Sequence, residues 1–160
     1  MTFDKAIEFI LEKEGGYVHD PRDAGGETNY GISKRSFPDI DIKNLTKGHA
    51  KHLYEVNYWN KLKCPGLPAS IRLCVFDCGV NQGTFFAAKS LQETIKAKPD
   101  GIIGPKTINA CHLFDGNLLS EFALKRVQRY FIIGSFDRFG KGWINRLTEC
   151  ICFNNSSGYN

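Results

Sequence analysis

Phe3-Asp4-Lys5-Ala6-Ile7-Glu8-Phe9-Ile10-Leu11-Glu12-Lys13-Glu14 runs directly into Gly15-Gly16-Tyr17-Val18-His19-Asp20-Pro21-Arg22-Asp23-Ala24-Gly25-Gly26-Glu27-Thr28-Asn29-Tyr30-Gly31-Ile32. The fold is decided at the junction. Phe3, Ile7, Ile10 and Leu11 recur at helical spacing and make one apolar face. Glu14 follows Ile10 by four residues and Leu11 by three, so it lies on that same face. A carboxylate at the end of a buried stripe is desolvated, which favours the protonated form. A general acid needs that form. An exposed Glu in the last turn of an ordinary helix fits the same placement.

The segment after Glu14 narrows the choice. Gly15, Gly16, Pro21, Gly25, Gly26 and Gly31 forbid a continuing helix and favour tight turns or a short hairpin. Such a loop can carry Asp20, Asp23 and Thr28 back over the helix end. Glycoside hydrolysis needs an acid to protonate the leaving oxygen, and inverting enzymes add a second carboxylate that activates water from the other side. A Glu at a helix end, with an Asp and a Thr on the next loop, can supply both parts. Asp20 competes with Asp23 for the second role, although an Asp before Pro21 also serves to shape a turn.

The run from Glu14 to Ile32 resembles the signature of glycoside hydrolase family 108, whose members are peptidoglycan muramidases of phage endolysins and bacterial secretion systems. Further segments agree: Tyr58-Trp59, Phe76-Asp77, Gly79-Val80-Asn81, Leu91-Gln92, Asp100-Gly101, Ile103-Gly104-Pro105, Thr107, Gly142-Trp143 and Asn145-Arg146. The likeness therefore covers nearly the whole chain. It implies a lysozyme-like fold, Glu14 as the essential acid, and Asp23 and Thr28 as its catalytic companions. It also implies peptidoglycan as the partner and no metal or organic cofactor. A membrane-permeabilising holin or another export route follows from the resemblance alone. His19 departs from the family pattern, where a small polar residue such as Asn is expected.

Composition agrees with this reading. The 160 residues allow one compact domain, or a catalytic lobe with a small companion. A hydrophobic fraction of 42% supplies a proper core and excludes wholesale disorder. The N-terminus enters an amphipathic helix directly, without the pattern of a secretory signal, so synthesis in the cytoplasm and action on the wall in the periplasm or outside the cell are expected. The net charge of +4 falls entirely in residues 67–160. A basic second half suits an anionic polymer such as peptidoglycan. Nucleic acid is not expected, because no helix-turn-helix, zinc-finger or RNA-binding signature accompanies the charge. Cys64, Cys74, Cys78, Cys111, Cys150 and Cys152 match no zinc spacing. Cytoplasmic synthesis favours free thiols, while a disulfide formed after export stays open.

The pattern predicts an α+β fold that is predominantly α-helical, with a small loop or hairpin region after the first helix. Helices are expected over about 2–14, 46–60, 69–80, 84–96, from Pro105, 118–133 and 141–153. Thr46 caps the second of these. Residues 1–85 are read as the lysozyme-like catalytic region, 86–153 as a helical peptidoglycan-binding region packed on it, and 154–160 as a flexible tail. The Leu91-Gln92 to Thr107 stretch resembles the core of peptidoglycan-binding modules, and a well-formed inter-helix turn without ligand contact explains it equally. Asp20, Asn29, Tyr30, Asp77, Asn81, Lys106, Arg126 and Arg129 are the candidate substrate contacts. Asp77 and Asn81, in a mostly apolar helix, must be hydrogen-bonded or face a cleft. The expected protein is a monomeric endo-acting muramidase. A lytic transglycosylase and a non-catalytic wall-binding module are the alternatives.

Overall fold

The computed structural model describes residues 1–19 and 26–156. Asp20 and Asp23 lie outside the described residues. Helix α1 spans Phe3–Glu14 and starts where Thr2 caps it, its hydroxyl accepting from the Lys5 amide. Asp4 in the first turn and Lys13 in the last complement the helix dipole. The helix stops at Gly15, whose φ of 71° leaves the helical region. Ala6, Ile7, Phe9, Ile10 and Leu11 are buried.

Three short strands follow: β1 (Val18–His19), β2 (Glu27–Asn29) and β3 (Ile32–Ser33). They form an antiparallel sheet in sequence order, with Val18 opposite Thr28 and Asn29 opposite Ile32. Tyr30 and Gly31 make the two-residue turn between β2 and β3, with φ of 50° and 74°. Left-handed backbone at both positions is what a type I′ hairpin requires. Glycine meets that demand freely; Tyr30 holds it at a conformational cost.

The rest of the chain is helical. Helix α2 (Lys47–Tyr54) is capped by Thr46, as expected, and continues as a wider π-helical turn over Glu55–Asn60. After a 3₁₀ turn at Cys64–Gly66 come α3 (Arg72–Gln82), α4 (Thr84–Thr94), α5 (Pro105–His112), α6 (Leu118–Ile132) and α7 (Phe136–Ser156). Helix α3 is the central one, with Leu73 to Gly79 all buried. Phe76 on α3 meets Trp59 edge-on at 5.3 Å and lies 6.1 Å from Phe3 of α1. One apolar core runs from Ala6 on α1 to Cys150 on α7, crossing residue 85 without a break. The architecture is a predominantly helical, lysozyme-like α+β fold.

Three helix boundaries differ from expectation, α7 also running past the expected end at 153 to Ser156, where Asn154 is buried and donates to the Ser70 carbonyl instead of opening a tail. Helix α3 starts three residues later, because the Pro68 carbonyl accepts from the Ile71 amide and closes a turn first. Helix α7 starts at Phe136, ahead of the expected Lys141. Gly140 and Gly142 lower helix propensity there. Packing overrides them: a Cβ on Gly140 would stand 2.7 Å from the Phe136 ring, so the glycine makes room for the aromatic.

Candidate active site

Glu14, in the last turn of α1, keeps 20% of its side-chain surface. The β2–β3 turn lies directly against it. A Cβ on Gly31 would stand 2.7 Å from Glu14 Cγ and Oε2 and 2.5 Å from Tyr54 Oη. Only glycine fits between the carboxylate and the phenol. Tyr54 Oη donates to the Tyr30 carbonyl at 2.9 Å, which ties α2 to the turn. Burial pushes the phenols of Tyr54 and Tyr58 up, and the charge of Glu14 adds to it. Both therefore stay protonated beside the carboxylate.

A third element closes the site. Arg146 of α7 places Nη1 2.7 Å from Glu14 Oε1 and Nε 2.8 Å from Asp77 Oδ1. Asp77 Oδ2 in turn accepts from Arg126 Nη2 at 2.7 Å. The four charges alternate in sign along a chain, Glu14, Arg146, Asp77, Arg126, whose last two members are fully buried. Burial works against the Arg146 guanidinium, but Asp77 and Glu14 outweigh it and hold it firmly charged. Arg126 behaves the same way, with Asp77 prevailing over burial. Gln82, Tyr130 and the Cys74 carbonyl take further bonds from Arg126.

This chain revises the reading of two residues. Asp77 and Arg126 are candidate substrate contacts by sequence, yet both are fully buried and spend their polar atoms on each other and on neighbours. A glycan cannot reach them. Asn29 is revised for the same reason: it is 6% exposed, and its amide donates to the Ile42 and Leu45 carbonyls. Tyr30 is half-buried at the turn over Glu14. Thr28 stands at the middle of β2, half-buried. Asn81 is exposed and lines an open concavity of ≈ 420 Å³ together with Lys13, Trp143, Asn145, Arg146 and Glu149. Trp143 is backed by Tyr130, stacked at 5.3 Å. Lys106 and Arg129 are exposed on α5 and α6, and the Arg129 guanidinium sits over the Phe86 ring. Neither makes a contact with Glu14 or its partners among the described residues.

Arg146 is the residue beside Glu14 that the sequence left without a role. Its signal was indirect. A carboxylate inside a mostly apolar helix demands partners, and Arg126 sits on the apolar face of α6, four residues from both Phe122 and Tyr130.

The Gln92 region differs. Gln92 is 1% exposed, and its Nε2 donates to Asp100 Oδ1 at 2.8 Å, to the Ile102 carbonyl at 3.1 Å and to Thr107 Oγ1 at 3.4 Å. Its Oε1 accepts from the Gly101 amide at 2.8 Å. The polar residues of this motif bond one another. Of the cysteines, five are buried free thiols and Cys152 is exposed. Burial pushes Cys111 up to about 11 and Cys78 to about 12, which leaves them protonated. No group of His, Cys, Asp and Glu suited to hold a metal ion occurs among the described residues. No described helix is long and apolar enough to cross a membrane.

The model of the family described as Glycosyl hydrolase 108 matches residues 7–83, and that of a Predicted Peptidoglycan domain matches residues 86–148. A solved structure, SagA of Brucella abortus, superposes with a TM-score of 0.89 at 32% identity, covering 99% of this chain and 96% of that one. No curated protein matches in sequence.

Proposed function

Because the chain belongs to the glycosyl hydrolase 108 family, we propose that it is an endo-acting N-acetylmuramidase. It cleaves the β-1,4 bond between N-acetylmuramic acid and N-acetylglucosamine in peptidoglycan. The observation that carries this reading is the position of Glu14: a partly exposed carboxylate at a helix end, enclosed by a glycine turn, two phenols and one guanidinium.

In the proposed reaction, protonated Glu14 donates to the glycosidic oxygen as it leaves. Asp23 and Thr28 orient or activate water on the opposite face, and the product inverts. Asp20 is the alternative second carboxylate. Asn81, in the concavity that shares Arg146 with the site, is positioned to contact sugar. Lys106 and Arg129 offer exposed positive charge to the acidic stem peptides. Side-chain acid and base suffice for this chemistry, so no cofactor is invoked.

Purified sacculi with mass spectrometry of the released muropeptides test the proposal. Reducing N-acetylmuramic ends with the inverted anomer are expected. Anhydro ends, lighter by one water, identify a lytic transglycosylase instead. Binding without released ends identifies a wall-binding module. Glu14→Gln keeps the shape of the side chain but cannot serve as the acid, and lysis near the wild-type rate by this variant would reject Glu14.

A further inference from the structure

The region that matches a peptidoglycan domain holds a residue placed for catalysis. Arg146 lies in that region, on α7, yet its Nη1 touches Glu14 across the family boundary at residues 83–86. We propose that this region completes the catalytic centre, with Arg146 as the positioning residue of Glu14. Asp77 and Arg126 form the buried anchor that holds it. The inference rests on Glu14 being the general acid.

The geometry assigns separate tasks to the two carboxylate oxygens. Oε1 is taken by the guanidinium. Oε2, beside Gly31, is left to carry the transferable proton. Asp77 divides the guanidinium between two carboxylates. A planar fork suits this double grip, since Nε reaches one carboxylate while Nη1 reaches the other. Arg126 then neutralises Asp77 from the far side, so each charge of the chain meets an opposite one, while Arg146 Nη2 is buried without a hydrogen bond.

Three variants of the full chain test the arrangement on soluble peptidoglycan oligomers, each checked for folding by thermal melting. Among the described residues, the charged or titratable groups facing Glu14 are Arg146, Tyr54 and Tyr58. Those facing Asp77 are Arg126, Arg146, Tyr130, Cys74, Cys78 and Cys150. Arg146→Gln should lower kcat by roughly ten- to a hundredfold, the scale of a misplaced catalytic group, with KM within about twofold. Loss of the positive charge should move the alkaline limb of the pH profile to higher pH. Asp77→Asn should also lower kcat but move that limb to lower pH, because Arg146 then acts on Glu14 uncompensated. Arg146→Lys keeps the charge, can still hold Asp77 and should fold, but its donors radiate from one nitrogen and cannot reproduce the planar fork that fixes Glu14 from Nη1 while Nε stays on Asp77, so kcat should stay low.

Wild-type kcat in Arg146→Gln or Arg146→Lys overturns the inference, as do limbs that move in the same direction. Sacculus binding lost with kcat intact assigns Arg146 to the wall instead and also overturns it. Failure of the muramidase reading is separable: there the wild-type protein releases anhydro ends or none, or Glu14→Gln stays active, whereas here wild type releases reducing ends, Glu14→Gln is dead and only the Arg146 arms behave like wild type.

Discussion

Two turns in this molecule look alike and do opposite things. Tyr30-Gly31 and Asp100-Gly101 each place a positive-φ glycine against a buried polar cluster. At Asp100-Gly101 the cluster is closed. Gln92 binds the aspartate, the glycine amide, a carbonyl and Thr107, leaving its amide nitrogen no hydrogen for a ligand. At Tyr30-Gly31 the cluster is open. Glu14 has one oxygen on Arg146 and the other beside the glycine, at the partly exposed end of the charge chain. A motif whose members satisfy each other is architecture. A site is where good partners still leave an atom over.

The sharpest test of the contrast is Glu14→Gln. Muramidase activity should fall by about 10²- to 10⁴-fold, the usual contribution of a general acid, with the melting temperature little changed. Gly31→Ala comes next. It forces a side chain into left-handed backbone and into Glu14 and Tyr54, so stability should drop by about 1–3 kcal/mol or more and activity with it, read by thermal unfolding and initial rates. Gln92→Ala is the mirror experiment. Orphaned polar groups should cost about 2 kcal/mol, while the rate per folded molecule holds. If that rate fell as far as for Glu14→Gln, the two turns would not differ as argued.

Smaller effects should follow from single charges. Asp100 is held below the usual carboxylate range by its bonds from Gln92 and the Ile102 amide. A depressed carboxylate stabilises the fold above its unfolded value and loses that contribution as pH falls. Asp100→Asn should therefore flatten the acid limb of the stability curve below about pH 4, measured by melting against pH. Lys106→Ala should weaken sacculus binding by roughly twofold, mostly at low salt, as for exposed charges in general. A pull-down across a salt series checks it.

Local structure was legible in the sequence wherever local physics decided it. Thr46 caps its helix, Gly15 stops α1, and the apolar run of α3 sits in the centre of the core. What stayed hidden was long-range. The ion pair between Arg146 and Asp77 joins residues 69 apart, and no periodicity encodes that distance. The demand was visible, since Asp77 interrupts an apolar helix, but not the supplier. The start of α7 was hidden by Gly140 and Gly142, whose weak propensity gives way to aromatic packing. Asn29 read as a sugar contact because it adjoins Thr28, yet alternation along β2 turns it inward.

The charge chain also couples the site to the packing of one helix. Glu14 of α1 meets Arg146 of α7, whose second carboxylate, Asp77, stands on the central helix α3. Loosening α7 from the core would release Glu14 and leave the buried Asp77 to Arg126 alone. Local opening of α7 and loss of the arrangement around Glu14 are therefore one event.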